Sequence, residues 1–261
     1  MIEMLVLLAA GWAGAGGAKP AAATVQAFDD YVARAEERIR KEERSVATFD
    51  PAADQGQAAL ASEKAVVAPR GPAGKGAVDI PEGMIHDWSG TILLRGVTLE
   101  DVLAVLQDYD HAAKYYAPEV LASKLMAREG DDFRVSLRLR ERKVITVVMD
   151  SEYAVRYGKL DAEHRFSWSR STRVTEIADA GGPHERAVPD AESHGYMWRL
   201  NAYWRFSKVS GGVLVECEAI SLTRSVPAGL GWLVGPFVRE IPRESLETTL
   251  EQTRDAVMGR K

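Results

Sequence analysis

The chain has 261 residues, 46% hydrophobic and 27% charged, with a net charge of −5. That is the balance of a soluble globular protein and argues against a general nucleic-acid binder. The single Cys217 excludes an intramolecular disulfide framework and a cysteine-based zinc site, and no apolar run is long enough to predict a transmembrane segment.

Residues 1–18 read as an atypical signal peptide. The apolar run MLVLLAAGWAGAGGA ends in small residues, with Ala13-Gly14-Ala15 and then Ala18 as cleavage candidates. Glu3 is the only charge before Lys19, so the basic n-region is missing. A periplasmic or secreted protein is expected. Residues 19–82 form an extension. Thr24 is placed to cap a helix running to Glu43, with Asp29 and Asp30 early, Arg38, Arg40 and Lys41 late, and Phe28, Tyr31, Val32, Ala35 and Ile39 as its apolar stripe. The bland reading of that helix is docking on the main domain; the sharper one is partner binding. From Ser45 to Pro81 the chain is rich in Ala, Gly, Pro and Gln, with short strands expected over Glu63 to Val67 and Ala77 to Ile80.

Residues 83–261 carry the main domain. IHDWSGTILLRG is a strand, Thr98 to Asp101 opens a short helix like a capping box, and DYDHAAKYYAP is a second short helix stopped by Pro118. Alternating strands follow. Phe133, Val135, Leu137 and Leu139 oppose Arg134, Ser136, Arg138 and Arg140; Val147, Met149, Tyr153 and Val155 oppose Asp150, Glu152 and Arg156; Phe166 and Trp168 oppose Ser167 and Ser169. Ala178 to Gly195 reads as a mobile polar loop. Tyr196, Trp198, Leu200, Ala202, Trp204 and Phe206 then share a face, and VLVECEAISLTR returns after Gly211-Gly212. Leu246, Thr249, Leu250, Thr253 and Val257 stripe a final helix. Before them, Trp232, Leu233 and Phe237 lie among Gly229, Gly231 and Gly235, as a movable apolar cover would.

That order of elements resembles the START-like, helix-grip superfamily over Ile85 to Val257. IHDWSGT, VLQDYDHAAKYYAPEVLASKL, YMWRLNAYWRF and VECEAISLTRSVP are similar to exported bacterial members of unassigned function. The resemblance implies an α+β fold: a curved antiparallel sheet wrapped around a long C-terminal helix, two short helices after the first strand, and here an extra N-terminal helix. It also implies an apolar cavity under the long helix, while activity does not carry over.

The ligand-binding set expected on that cavity is Phe133, Leu137, Val147, Met149, Tyr153, Trp168, Arg170, Trp198, Leu200 and Trp204, closed by Phe237 and Leu246. Strict alternation aims Arg170 inward with Trp168, where it would need a carboxylate or a polar headgroup unless a bulge turned it out. The histidines show no metal-ligand spacing, and no GxSxG, Walker or GxGxxG motif occurs, so no metal, cofactor or catalytic set is assigned. The basic run Arg138, Arg140, Arg142, Lys143 allows transient contact with a membrane surface. The leading expectation is a non-catalytic binder or carrier of a lipid-like or other hydrophobic molecule. The alternatives are a cyclase- or hydrolase-type enzyme using Tyr153, His111 or Arg170 in the same cavity, and an envelope assembly module acting through the N-terminal helix.

Overall fold

The computed structural model describes residues 19–44, 58–59, 62, 64–142, 146–225 and 231–259, with the backbone alone at 44, 73 and 231–238. The leader at 1–18 and the glycine-rich approach at 226–230 lie outside the described residues, as do the Trp232, Leu233 and Phe237 side chains expected to form a cover.

Helix α1 (Ala22–Arg44) begins two residues before the expected cap. Thr24 is therefore inside the helix, and its hydroxyl instead donates to Pro81 O at 2.7 Å. Strands β1 (Val66–Pro69) and β2 (Ala77–Ile80) both pair with β3 (Gly83–Arg95), so the extension joins the main sheet. Helix α2 (Leu99–Leu106) starts at a true capping box: Asp101 N–H donates to Thr98 Oγ1 at 3.2 Å and Thr98 N–H to Asp101 Oδ2 at 2.8 Å. A 3₁₀ turn (Tyr109–His111) and the single turn α3 (Ala112–Tyr115) follow and end before Pro118.

Then come β4 (Val120–Glu129), β5 (Asp132–Arg142), β6 (Thr146–Lys159), β7 (His164–Ala178), the two-residue β8 (Arg186–Ala187), β9 (Arg199–Val209), β10 (Gly212–Arg224) and the long α4 (Gly231–Gly259). The antiparallel sheet runs β1-β3-β10-β9-β7-β6-β5-β4. Its decisive pairing is β3 with β10, in register from Gly83↔Arg224 to Arg95↔Gly212, which joins the first long strand to the last.

Both faces of this sheet are covered. On the concave face α4 sets Leu246, Leu250 and Val257 against Ile92, Leu94, Val213, Val215 and Cys217. Gly90 makes the close approach possible, because a Cβ there would stand 2.5 Å from Leu250 Cδ1. On the convex face α1 sets Phe28, Val32, Ala35 and Ile39 against Ile85, Trp168, Trp198, Ile220 and Leu222. With a helix on each side, β3 is buried at every position but its last.

Two expectations are corrected, and one strand was not anticipated. Ala178 to Gly195 is pinned rather than free: β8 pairs with β7, Val188 is buried, and Glu176 accepts from the Gly195 and Tyr196 N–H groups and from Ser193, at 2.9, 3.2 and 2.9 Å. Trp198 precedes the first β9 residue and turns away from the Leu200 face. Strand β4 was not marked by alternation, because it is an edge strand with two register shifts that leaves Leu121 and Met126 exposed.

Candidate ligand-binding site

The concave face divides into two halves. Helix α4 packs chiefly over β1, β3 and β10 and leans on α2 and α3, where Tyr116 and Thr253 share a hydrogen bond at 3.0 Å. The other half is built by β5, β6, β7 and β9, and its facing residues follow from the register. Phe133 stands opposite Val155, Val135 opposite Tyr153, Leu137 opposite Ser151, and Leu139 opposite Met149. α4 reaches toward this half at the far end of β5, where Ser245 Oγ donates to Glu141 Oε2 at 3.2 Å.

One end of the half-face is plugged by α2 and by aromatic rings. Phe133 lies against Tyr109 and Tyr157 at ring separations of 5.7 and 5.2 Å. The two tyrosine hydroxyls meet at 2.8 Å, and Tyr157 also donates to Leu106 O at 3.1 Å. Toward the opposite end Leu137, Leu139, Val147 and Leu200 are only half-buried, so apolar wall remains available there.

Two hydroxyls sit in the middle of this wall. Tyr153 OH and Ser151 Oγ are buried and have no hydrogen-bond partner among the described residues. Burial pushes the Tyr153 phenol up to about 12. Ser151 lies close enough to temper that shift, although the two hydroxyls are not in hydrogen-bonding geometry. On the neighbouring half Cys217 is a small buried thiol whose pKa burial drives well above its ordinary value.

The structure gathers most of the expected residues and separates three. Phe133, Leu137, Tyr153 and Leu200 share one cluster, Val147 and Met149 share their face by register, and Trp204 and Leu246 join the adjoining cluster under α4. Trp168, Arg170 and Trp198 lie on the convex face against α1. Alternation is intact from His164 to Ser171, ahead of an irregularity at Thr172, but the whole Phe166–Trp168–Arg170 set points the other way. There Arg170 meets its carboxylate, Glu36 Oε1, at 2.6 Å. The Phe237 side chain lies outside the described residues. Tyr109, Tyr157 and Ser151 were missed, although Tyr157 continues the Tyr153–Val155 alternation and could have been read from it.

The order β3, two short helices, a meander and a long helix seated on the β3–β10 pair decides the architecture. The fold is START-like. Structures it resembles include the STAR-related lipid transfer protein of Xanthomonas axonopodis, 18% identical with a TM-score of 0.47, matched over 70% of this chain and 99% of that one. Zhui aromatase/cyclase from Streptomyces sp. R1128 is 15% identical with a TM-score of 0.45 over 67% and 93%. Human STARD10 is 11% identical with a TM-score of 0.44 over 78% and 79%. No protein-family model and no curated protein matches the sequence. The START-like assignment therefore rests on the connectivity and pairing of the chain itself.

Proposed function

We propose that this START-like protein binds an amphipathic, lipid-like molecule between α4 and the β5–β6–β7–β9 half of the concave face, without catalysing a reaction on it. The observation that carries the reading is the division of that face. α4 is seated over β1, β3 and β10, while the half-buried Leu137, Leu139, Val147 and Leu200 continue the apolar wall beyond it. Tyr153 and Ser151 mark where the ligand's polar end would be received, since a buried hydroxyl left unpaired costs about 1–3 kcal/mol. Burying about 500 Å² of apolar ligand surface would yield about 12 kcal/mol. After an ordering cost of about 4 kcal/mol, that supports micromolar affinity.

The enzymatic alternative named Tyr153, His111 and Arg170. His111 is an exposed residue bonded to Asp108 at 2.7 Å, Arg170 is on the opposite face, and the Tyr153 phenol is too basic to ionise near neutrality. The three do not converge. The assembly-module alternative needed a free α1 stripe, and Phe28, Val32, Ala35 and Ile39 are buried in the chain's own sheet. Of the basic run suggested for membrane contact, Arg138 is held by Asp150 and Glu185 and Arg140 by Pro118 O. Among the described residues no helix is long and apolar enough to cross a membrane.

Native mass spectrometry of protein purified from its own host, with lipid extraction, tests the reading: a bound amphipathic molecule is expected, displaceable by a fluorescent fatty acid. No bound molecule and no probe binding would refute it. Export is a separate proposal, in which the mature chain begins between Gly16 and Ala23. An intact mass retaining Met1 would overturn that.

A further inference from the structure

A second groove lies on the convex face, away from α4. It has a volume of about 690 Å³ and is bounded by the last turn of α1 on one side and by β4 on the other. Its floor follows from strand register. Ala127, Arg134, Ala154 and Arg170 stand opposite one another across β4, β5, β6 and β7 in a single cross-strand row. The alanines leave a trough between two guanidinium groups whose strands are about 10 Å apart. One row along, Asp132, Arg156 and Trp168 align in the same way. Beyond them Phe166 lies over Gly158, where a Cβ would come within 2.1 Å of its ring. From Arg170 to Phe166 is four residues of strand, about 13 Å.

Arg40, Arg134, Arg156 and Arg170 match Glu36, Glu43, Glu129 and Asp132 in number around the groove, but the charges are unevenly placed. Asp132 and Arg156 neutralise each other through two bonds of 2.7 and 2.8 Å. Glu43 accepts the Trp168 indole N–H at 2.8 Å, and Glu129 stands exposed at the β4 rim. Glu36 bonds Arg170 and, at 3.3 Å, Arg40, so within the Arg134–Ala154–Arg170 row it is Arg134 that has no carboxylate bonded to it. Arg134 is exposed and makes no hydrogen bond or ion pair among the described residues. Arg40 and Arg170 are held in place over the Trp168 ring, 4.7 and 5.2 Å from its centroid. The result is a cationic end at Arg134 and Arg170, the latter preordered over Trp168, joined along the trough to an apolar end at Phe166.

We propose that this groove is a second binding site, independent of the concave one, for an aromatic anion: a flat apolar body bearing a carboxylate, sulfonate or phosphate. The anionic group bridges Arg134 and Arg170 across Ala154, and the ring system lies along the trough toward Phe166. Guanidinium groups suit this task because they give paired, planar donors to an oxyanion and a flat surface to a ring.

The test titrates the full chain with naphthalenesulfonate and follows the Trp168 indole N–H resonance, assigned with Trp168→Phe. A saturable shift is expected, absent with the neutral analogue naphthalenemethanol. Arg134→Gln, an exposed change with no partner to strand, should weaken binding about tenfold, whereas removing a charge elsewhere with Lys208→Gln should not. The proposal fails if the Trp168 resonance does not move, if the neutral alcohol binds as tightly, or if Arg134→Gln binds like the wild type. None of these results bears on the concave site.

Discussion

Helices α4 and α1 cover opposite faces of one sheet by different chemistry. Among the described side chains of α4 the buried side is apolar apart from Thr253, and it sits on Ile92, Leu94, Val213, Val215 and Cys217. α1 has a comparable stripe, but charged contacts surround it. Glu36 bonds Arg170 and Tyr203, Arg38 bonds Glu218, Glu42 bonds Arg205, Glu43 bonds Trp168, and Tyr31 bonds Asp87. If α1 lifts away, those groups can exchange their partners for water. If α4 leaves, a wide apolar face is exposed with nothing to replace it. The concave contact therefore holds the fold, while the convex one can open locally at lower cost.

The largest expected effect strikes the concave seat. Leu250→Asp strands a charge in a fully buried layer and should cost at least about 4 kcal/mol. Wild-type-like denaturant unfolding of that variant would end the claim that α4 holds the sheet.

Next is Glu36→Ala on the convex side. Burial works to raise the Glu36 carboxyl, but hydrogen bonds from Arg170 and Tyr203 outweigh it and hold the group below its usual range. Removing it leaves the buried Tyr203 hydroxyl short of a partner. A loss of about 2 kcal/mol is expected, discounted because Arg170 is half exposed. Hydrogen exchange should quicken in α1 and leave α4 unchanged; equal quickening in both helices would erase the contrast between the two faces.

A subtler test uses pH. Burial, and then the adjacent Glu218 charge, raise the Asp87 carboxyl to about 7, while Tyr31, Arg38 and Arg70 pull the other way. A raised folded pKa means that stability from this group is complete below the unfolded value near 4. It is lost as pH climbs to about 7. Glu36, whose pKa is lowered, acts with the opposite sign and loses its contribution in acid. Asp87→Asn should therefore gain on the wild type steadily between pH 4 and pH 7. Parallel stability curves would show that Asp87 is not held in its neutral form.

The smallest effect concerns the ligand wall. Tyr153→Phe removes a buried hydroxyl that has no partner, so stability should rise by up to about 1 kcal/mol. Binding of a fluorescent fatty acid should weaken several-fold if that hydroxyl receives the polar end. Unchanged affinity would move the polar end away from Tyr153.

Much of this was readable in local pattern. The Thr98–Asp101 box, the Phe133–Leu139 alternation and the Leu246, Leu250, Val257 stripe each reflect backbone geometry acting within a few residues, and each stands as read. The candidate wall was read for Phe133, Leu137, Val147, Met149, Tyr153 and Leu200, because their strands carry one apolar face. Trp168 and Arg170 were misread for a different reason. Two-residue alternation separates a strand into two faces without saying which is concave, and β7 is apolar toward α1 as well. Trp198 was misplaced because the chain is not yet in the strand at that residue, so parity did not apply.

Local pattern placed most of the helices and strands, though not β4 or β8, and showed which side chains travel together, since propensity, capping and periodicity act over one or two turns of chain. Only the tertiary structure decided which helix each face meets. It took the closing of β3 onto β10 to set α4 on one side, and α1 to find on the other face Arg170, Arg205 and Trp168, each of which donates to one of its carboxylates. That choice joins residues more than 120 positions apart, and it rests on charge and shape complementarity that no local spacing encodes.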